Sequence, residues 1–556
     1  MAAGFTAYLA RAVILLLGLC AIAAPASAAA GDCAGLKRIA IPHVEILIAA
    51  EVSGTYQEDM AVGRAGRRFD GLPAFCRVRG ISRPVAGSEI GFEVWLPVKG
   101  WSGRLHMIGN GGYVSNISTK QMIARLEDGD VAVGTDTGHS GTDLEFGWKH
   151  PERIKDFGYR AVHESVIAAK ALTHAYYGRP PRFSYFSGCS TGGYQGLSEA
   201  QRYPDDFNGI IAGAPGNNRT NLTMAFLWNY LANHRPGDDT HPILSTSDLL
   251  LLNRAVIAQC DTLDGVKDGV VSDPRVCRFR VASLACKPGN APGTCLSAEQ
   301  IAAAEKIYAG PTDKRTGKQI YPGYPFGTEG VTSGPGDKHP GWSGYWSETE
   351  NTQESSRADF FRYWVFDDPK WNWWSFDWGR DVDTVVARQG PVFNAVDTNL
   401  SPFAKRGGKL MMFMGWQDPV GTPYEAINYY NAVEARTPGN SKAARQAQTQ
   451  AFLRLFMVPG MDHCAGGPGA TNMSTATRDS TPPVKDADHD MTRALEAWVE
   501  QDRAPQSLIG THYAADAAED GKGPRPIAFQ RPICVFPKKP VYKSGPTEAA
   551  SSFVCA

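Results

Sequence analysis

A chain of 556 residues, 43% hydrophobic and 20% charged, is long enough to bury a sizeable core as one large domain with an insertion or as two domains. Its 56 basic and 57 acidic side chains leave a formal charge of -1, so no electrostatic argument supports nucleic acid or an anionic membrane surface as a partner. A neutral or weakly charged small molecule fits that balance better.

At the N-terminus Arg11 precedes an apolar run from Ala12 to Ala24 and the small residues Pro25-Ala26-Ser27-Ala28. This layout predicts a signal peptide over residues 1–28, with cleavage after Ala28, and a secreted or periplasmic protein. The run is too short to span a membrane, and no later stretch reaches transmembrane length. A lipoprotein box ending at Cys20 is disfavoured because Leu19 stands where a small residue is expected. Removing the signal takes one of eleven cysteines and leaves an even set, the usage of an oxidising compartment. Local clips between Cys260 and Cys277, Cys286 and Cys295, and Cys534 and Cys555 suit the spacing, although spacing alone fixes no connectivity.

In chain order, Ile90 to Leu96 and Arg104 to Gly109 read as strands, the second ending in Gly109-Asn110-Gly111-Gly112-Tyr113. A glycine cluster after a strand can leave backbone N–H groups pointing at an anion, or can simply turn the chain. Val131 to Val133 is a strand leading into Thr135-Asp136-Thr137-Gly138-His139. That loop is a rival site, with hydrogen bonding at a strand end as its plainer role. Ala161 to Tyr177 reads as a helix.

Next comes Phe183 to Pro204, whose centre Gly188-Cys189-Ser190-Thr191-Gly192 fits the G-x-S-x-G nucleophile elbow. An aromatic strand precedes it, and a helix follows that stops before Pro204. The bland alternative is a glycine-rich turn with an incidental serine. Phe207 to Ala214 is a buried strand, and the alternation of strand and helix predicts a mostly parallel sheet covered on both faces.

From about Asn217 to Phe393 the chain is rich in Pro, Gly and aromatics. Eight of the thirteen tryptophans fall here, Trp228, Trp342, Trp346, Trp364, Trp371, Trp373, Trp374 and Trp378. This is too many for a solvated linker, and it predicts a folded insertion whose rings mostly pack. Within it, Asp261, Asp264 and Asp268 lie among glycines and can offer hard oxygen ligands to calcium, or can make two surface Asp-Gly turns. Asn218-Arg219-Thr220 and Asn221-Leu222-Thr223 are sequons, of consequence only in a glycosylating host.

The parallel pattern resumes with the strand Lys409 to Met414, followed by Asp418. A helix from Tyr424 to Glu434 and a strand from Ala451 to Val458 come next, then the loop Pro459-Gly460-Met461-Asp462-His463-Cys464. Asp418 and His463 thus follow strand ends, where open parallel sheets gather functional groups. Serine needs a base to take its proton, and a histidine base needs a carboxylate to fix its tautomer. Ser190, Asp418 and His463 occur in the order used by α/β-hydrolases. Cys189 precedes the proposed nucleophile and Cys464 follows the proposed base. If Ser190 and His463 meet, the two cysteines approach the Cα separation of roughly 5.5 Å that a disulfide needs.

On these residues the chain resembles the tannase and feruloyl esterase family, which also includes the esterase that cleaves the monoester product of polyethylene terephthalate breakdown. The resemblance covers nearly the whole mature chain. It rests on Gly188-Cys189-Ser190, Asp418 and His463-Cys464, supported by Gly109-Asn110-Gly111-Gly112, by Thr135 to His139 and by Arg531-Pro532-Ile533-Cys534 through Cys555. It implies an α/β-hydrolase core over 29–216 and 394–556 with a lid inserted over 217–393. It also implies a structural Ca2+ in the lid, held by Asp261, Asp264, the carbonyl of Val266, Asp268 and the carbonyl of Val270, and no organic cofactor. The pairings it implies are Cys189 with Cys464, Cys260 with Cys277, Cys286 with Cys295, Cys534 with Cys555, and Cys33 with Cys76. For the oxyanion hole it implies the N–H of Thr191 and one from Gly111 or Gly112. Gly421 stands where the terephthalate-monoester enzyme carries an aromatic, so that specialised activity is not expected.

The resulting expectation is a secreted serine carboxylesterase of phenolic acid esters, hydroxycinnamates or gallates. The competing readings are a non-catalytic binding protein on a hydrolase scaffold, a serine esterase of other small esters, and a serine peptidase with the same triad. Neither the acyl and alcohol halves of the substrate nor the oligomeric state is legible.

Overall fold

The computed structural model describes Met1 and residues 31–58, 66–332, 337, 339–344, 357–474, 480–514 and 525–556. The expected signal peptide, Met1 apart, and Trp346 lie outside the described residues.

One nine-stranded sheet organises the chain, built from β1 (Val44–Gln57), β2 (Arg68–Ser82), β3 (Ile90–Pro97), β4 (Arg104–Ile108), β5 (Val131–Thr135), β6 (Phe183–Cys189), β7 (Gly209–Gly213), β8 (Lys409–Gly415) and β9 (Leu453–Val458). Their spatial order is β1-β2-β3-β5-β4-β6-β7-β8-β9. The first three pair antiparallel and β3 runs antiparallel to β5, whereas β5, β4, β6, β7, β8 and β9 are mutually parallel neighbours. The parallel strands are buried on both faces, which is why they read as unbroken apolar runs such as Leu410-Met411-Met412-Phe413-Met414. The helix Ala161–Tyr177 has the bounds expected of it, closed by Gly178 at φ 71°, and the later helix runs Pro423–Arg436.

β1 and β2 have no counterpart in the sequence reading. Their burial patterns are irregular, with exposed charges on both faces and register shifts between them, so neither clean alternation nor an apolar run announces them. Two small antiparallel pairs, Ser507–Tyr513 with Ile527–Cys534 and Pro540–Tyr542 with Phe553–Cys555, complete the C-terminal part.

The segment between β7 and β8 packs in two places. Most buried apolar residues from Leu222 to Trp342, with Val420, form a cluster of their own that includes Leu249, Leu252, Ile307 and Tyr324, while Met224, Leu227 and Tyr230 join the main core. Residues from Ala358 to Phe393 instead join the main core, where Trp364 stacks on Phe393 at 5.3 Å and packs edge-on to Tyr113. The indole N–H groups are used in packing: Trp364 donates to the Leu144 carbonyl at 2.8 Å, and Trp373 and Trp374 donate to Asp239 at 2.9 and 3.0 Å. Burying an indole requires such a partner.

Five disulfides join Cys33 to Cys76, Cys189 to Cys464, Cys260 to Cys277, Cys286 to Cys295 and Cys534 to Cys555, with Cα separations of 4.9 to 5.9 Å. Such a set fits an oxidising compartment. Among the described residues no helix is long and apolar enough to cross a membrane.

Trp364→Ala is expected to cost about 3 to 5 kcal/mol of stability, since it leaves a cavity and strands the Leu144 carbonyl. Equilibrium denaturation by urea measures this.

Candidate active site

β6 ends at Cys189 and the helix Thr191–Arg202 begins two residues later. Ser190 makes the turn at φ 63° and ψ -123°, a conformation that costs a non-glycine residue about 1 to 3 kcal/mol and that persists where surrounding structure enforces it. The enforcement is visible. The Ser190 N–H donates to the Gly213 carbonyl at 3.0 Å, and a Cβ on Gly188 would lie 2.6 Å from the Gly192 backbone. The elbow therefore needs glycine at these positions for close packing.

Asp418 lies just beyond β8 and is fully buried. Its Oδ1 accepts the backbone N–H of Val420 at 2.7 Å and of Gly421 at 3.2 Å, and its Oδ2 faces His463 Nδ1 at 2.8 Å. A carboxylate against Nδ1 holds the proton there and makes Nε2 the basic nitrogen.

The loop carrying His463 turns back across the sheet. Its Met461 carbonyl accepts the Gln417 N–H at 3.2 Å, and a Cβ on Gly415, the last residue of β8, would collide with the Met461 carbonyl. Gln417 also accepts the Gly460 N–H and donates to the Val271 carbonyl at 2.9 Å. The path ends at Cys464, φ 71°, bonded to Cys189 with their Cα atoms 5.9 Å apart.

On the other side of Ser190, the glycine cluster after β4 abuts the start of the helix Thr191–Arg202. The Asn110 N–H is occupied by Gln195 Oε1 at 3.0 Å. Gly111 and Gly112 are exposed, and among the described residues neither of their N–H groups donates to a protein acceptor. Thr191 Oγ1 donates to the Gly112 carbonyl at 2.7 Å and accepts from Arg219 Nη2 at 2.9 Å. Arg219 was visible in the sequence only as the middle of a sequon, and no motif marks it.

The rival loop is held by structural bonds. Asp136 Oδ1 accepts the N–H groups of Gly91 and Gly138, each at 2.8 Å, while His139 binds the Tyr113 carbonyl at 2.9 Å and stacks on Phe146.

In the loop after the helix Thr246–Cys260, Asp261 Oδ1 accepts from the N–H of Asp268 and Gly269, Asp264 Oδ1 from Val266, and Asp268 Oδ1 from Val270. Arg531 donates to Asp268 Oδ2 at 2.8 Å. The Asp264 carboxyl is pushed up, chiefly by burial and further by the charges of Asp268 and Asp261. Hard oxygens that repel one another in this way suit a divalent cation. A tighter group lies elsewhere: His163, Glu199 and Asp206 offer ligand atoms all within 4.8 Å of one another. There His163 Nδ1 meets Asp206 at 2.6 Å and the Lys170 ammonium stands 3.8 Å from Asp206.

A parallel sheet with a strained serine at one strand end, and an aspartate-histidine pair at the ends of two others, defines an α/β-hydrolase. The sequence profile described as tannase and feruloyl esterase matches residues 76–556. An uncharacterized esterase of Xanthomonas campestris pv. campestris is 37% identical over 564 residues, spanning 98% of this chain and 94% of the relative. A probable feruloyl esterase B-2 of Aspergillus terreus is 32% identical over 95% of both chains. The crystal structure of feruloyl esterase B from Aspergillus oryzae superposes with a TM-score of 0.83 at 27% identity, covering 94% of this chain and 99% of that one. This chain belongs to the tannase and feruloyl esterase family, and it is a carboxylic ester hydrolase.

The Asp136 carboxyl is raised from 3.8 to about 7, first by burial, with its two backbone bonds opposing. A carboxyl that stays protonated when folded but ionises when unfolded costs stability progressively from about pH 4 to about pH 7. Asp136→Asn keeps the Oδ1 acceptor and removes that cost. Its melting temperature relative to the parent is expected to rise between about pH 4 and about pH 7 and to level off above that; a difference constant from about pH 4 to about pH 7 contradicts the assignment.

Proposed function

We propose that this hydrolase is a secreted serine carboxylesterase of phenolic acid esters, with Ser190 as nucleophile, His463 as general base and Asp418 as its orienting carboxylate. One observation carries the reading. The buried Asp418–His463 pair is tied through Cys464 to Cys189, the neighbour of a serine in elbow conformation.

In this reading Nε2 of His463 takes the Ser190 proton as Oγ attacks the ester carbonyl, and the imidazolium that forms is stabilised by Asp418. The oxyanion is held by the N–H of Thr191 and by one from Gly111 or Gly112. The tetrahedral intermediate collapses, His463 gives its proton to the departing alcohol, and an acyl-enzyme remains. Water then adds with His463 again as base, and the phenolic acid leaves. The names of the relatives, feruloyl esterase B among them, support hydroxycinnamoyl esters as substrates, with galloyl esters as the alternative. The five disulfides and the N-terminal signal pattern support secretion.

Calcium belongs to the same proposal as a structural ion. Asp261, Asp264 and Asp268 with the carbonyls of Val266 and Val270 would hold it, and it supplies charge neutralisation to the loop and no chemistry to the ester. Arg531, bonded to Asp268 from the C-terminal strand, would lie beside it.

Ser190→Ala is expected to abolish hydrolysis of methyl ferulate and methyl gallate and to remove labelling by a fluorophosphonate, with the circular dichroism spectrum unchanged. Undiminished turnover overturns the assignment. EDTA is expected to lower the melting temperature more than it lowers room-temperature activity. An unchanged melting curve speaks against bound calcium.

A further inference from the structure

Arg219, the first residue of the helix Arg219–Asn233, is buried at 8% exposure against Thr191, the residue after Ser190, and forms no ion pair among the described residues. A buried guanidinium is costly unless something uses its charge and its donors. Two contacts use them here. Nη2 donates to Thr191 Oγ1 at 2.9 Å, and the guanidinium carbon sits 5.2 Å from the ring centre of Tyr113, the residue directly after Gly112.

The first contact sets a direction. Arginine can only donate, so its bond occupies the acceptor side of the Thr191 hydroxyl and leaves the hydroxyl proton to the Gly112 carbonyl, 2.7 Å away. A chain of this kind polarises each of its bonds. Thr191 is thereby used twice: its backbone N–H starts the nucleophile helix, and its hydroxyl grips the loop that carries the N–H groups of Gly111 and Gly112. Gln195 joins the same two segments further along, through its bonds to Asn110, but Thr191 is the tie at Gly112 itself. Gly112 stands at φ 54°, exposed and with open space where a Cβ would be.

We propose that Arg219 is a positioning residue of the oxyanion hole, acting through the hydroxyl of Thr191 to hold the Gly112 carbonyl and so align the N–H donors of the two segments. The proposal rests on the reading of Ser190 as nucleophile. It separates into two predictions, one for the relay and one for the charge that orients it. Misalignment of oxyanion donors by a fraction of an ångström weakens binding of the transition state and not of the ground state.

The test uses the full-length enzyme with methyl ferulate, an aryl trifluoromethyl ketone as the probe of the tetrahedral state, and ferulate as the ground-state probe. Thr191→Val and Arg219→Met are expected to lose about ten- to a hundredfold in kcat with KM little changed. Affinity for the ketone should fall in step, and inhibition by ferulate should stay near the parent value. Thr191→Ser restores most of the loss, and the double variant is no worse than Thr191→Val, because both residues act in one chain.

A parent-like kcat in Arg219→Met overturns the proposal, as does a rise in KM alone or a Thr191→Ser variant no better than Thr191→Val. Should Arg219→Met fail to fold, Arg219→Lys with the Thr191 pair decides by the same criteria. If Ser190→Ala retains activity, the nucleophile reading itself has failed. If Ser190→Ala is inactive and Arg219→Met is not, only the positioning role has.

Discussion

The bond between Cys189 and Cys464 is the constraint on which the rest of the site depends. Cys189 ends β6, whereas Cys464 lies beyond β9, with β7 and β8 between them. At the usual strand spacing that separation is about 14 Å, so the loop after β9 must cross two strand ends to bring Cys464 to Cys189. Crossing requires the chain to lie flat on the sheet, and Gly415 at the end of β8 leaves the room for the Met461 carbonyl. Gln417 fixes the loop from below, and the disulfide fixes its far end. On the chain-entropy account a crosslink closing a loop of this length contributes on the order of 5 kcal/mol, ample to offset the backbone strain at Ser190.

The same edge of the sheet receives the other parts of the site from separate segments. The glycine loop comes from β4, Ser190 and its helix from β6, Arg219 from the chain just after β7, and Asp418 from β8. None of these is adjacent in sequence, and what aligns them is the parallel register, in which Gly188 pairs with Ala212 and Gly213 with Phe413. The tryptophan-rich segment then covers part of this edge, with Trp364 edge-on to Tyr113. The aromatic residues that packed it into the core are the ones that made it stand out in composition.

How much could be read from the sequence follows the physics of each element. The parallel strands were legible because burial on both faces leaves an unbroken apolar run, and the elbow because its glycines are required sterically. The cysteine beside each of Ser190 and His463 made a long-range contact readable, since covalent geometry restricts what those neighbours can be. β1 and β2 were not legible, because an edge hairpin with both faces partly wet follows no period. Arg219 was not legible either. Its importance lies in two hydrogen bonds and a ring contact between segments some 30 to 100 residues apart in sequence, and no local pattern encodes these. The loop of Asp261, Asp264 and Asp268 was legible as an acidic cluster, yet its bonds to its own N–H groups and to Arg531 needed coordinates.

The central claim is that the crosslink holds Ser190, the proposed nucleophile, and His463, the proposed base, in register. It is tested most directly by the double variant Cys189→Ala, Cys464→Ala, assayed on methyl ferulate at a temperature where parent and variant are both fully folded by circular dichroism. The account predicts a kcat reduced at least about tenfold, with KM little changed, because the loop bearing His463 gains freedom that the reaction must remove. A folded variant that turns over at the parent rate would contradict it.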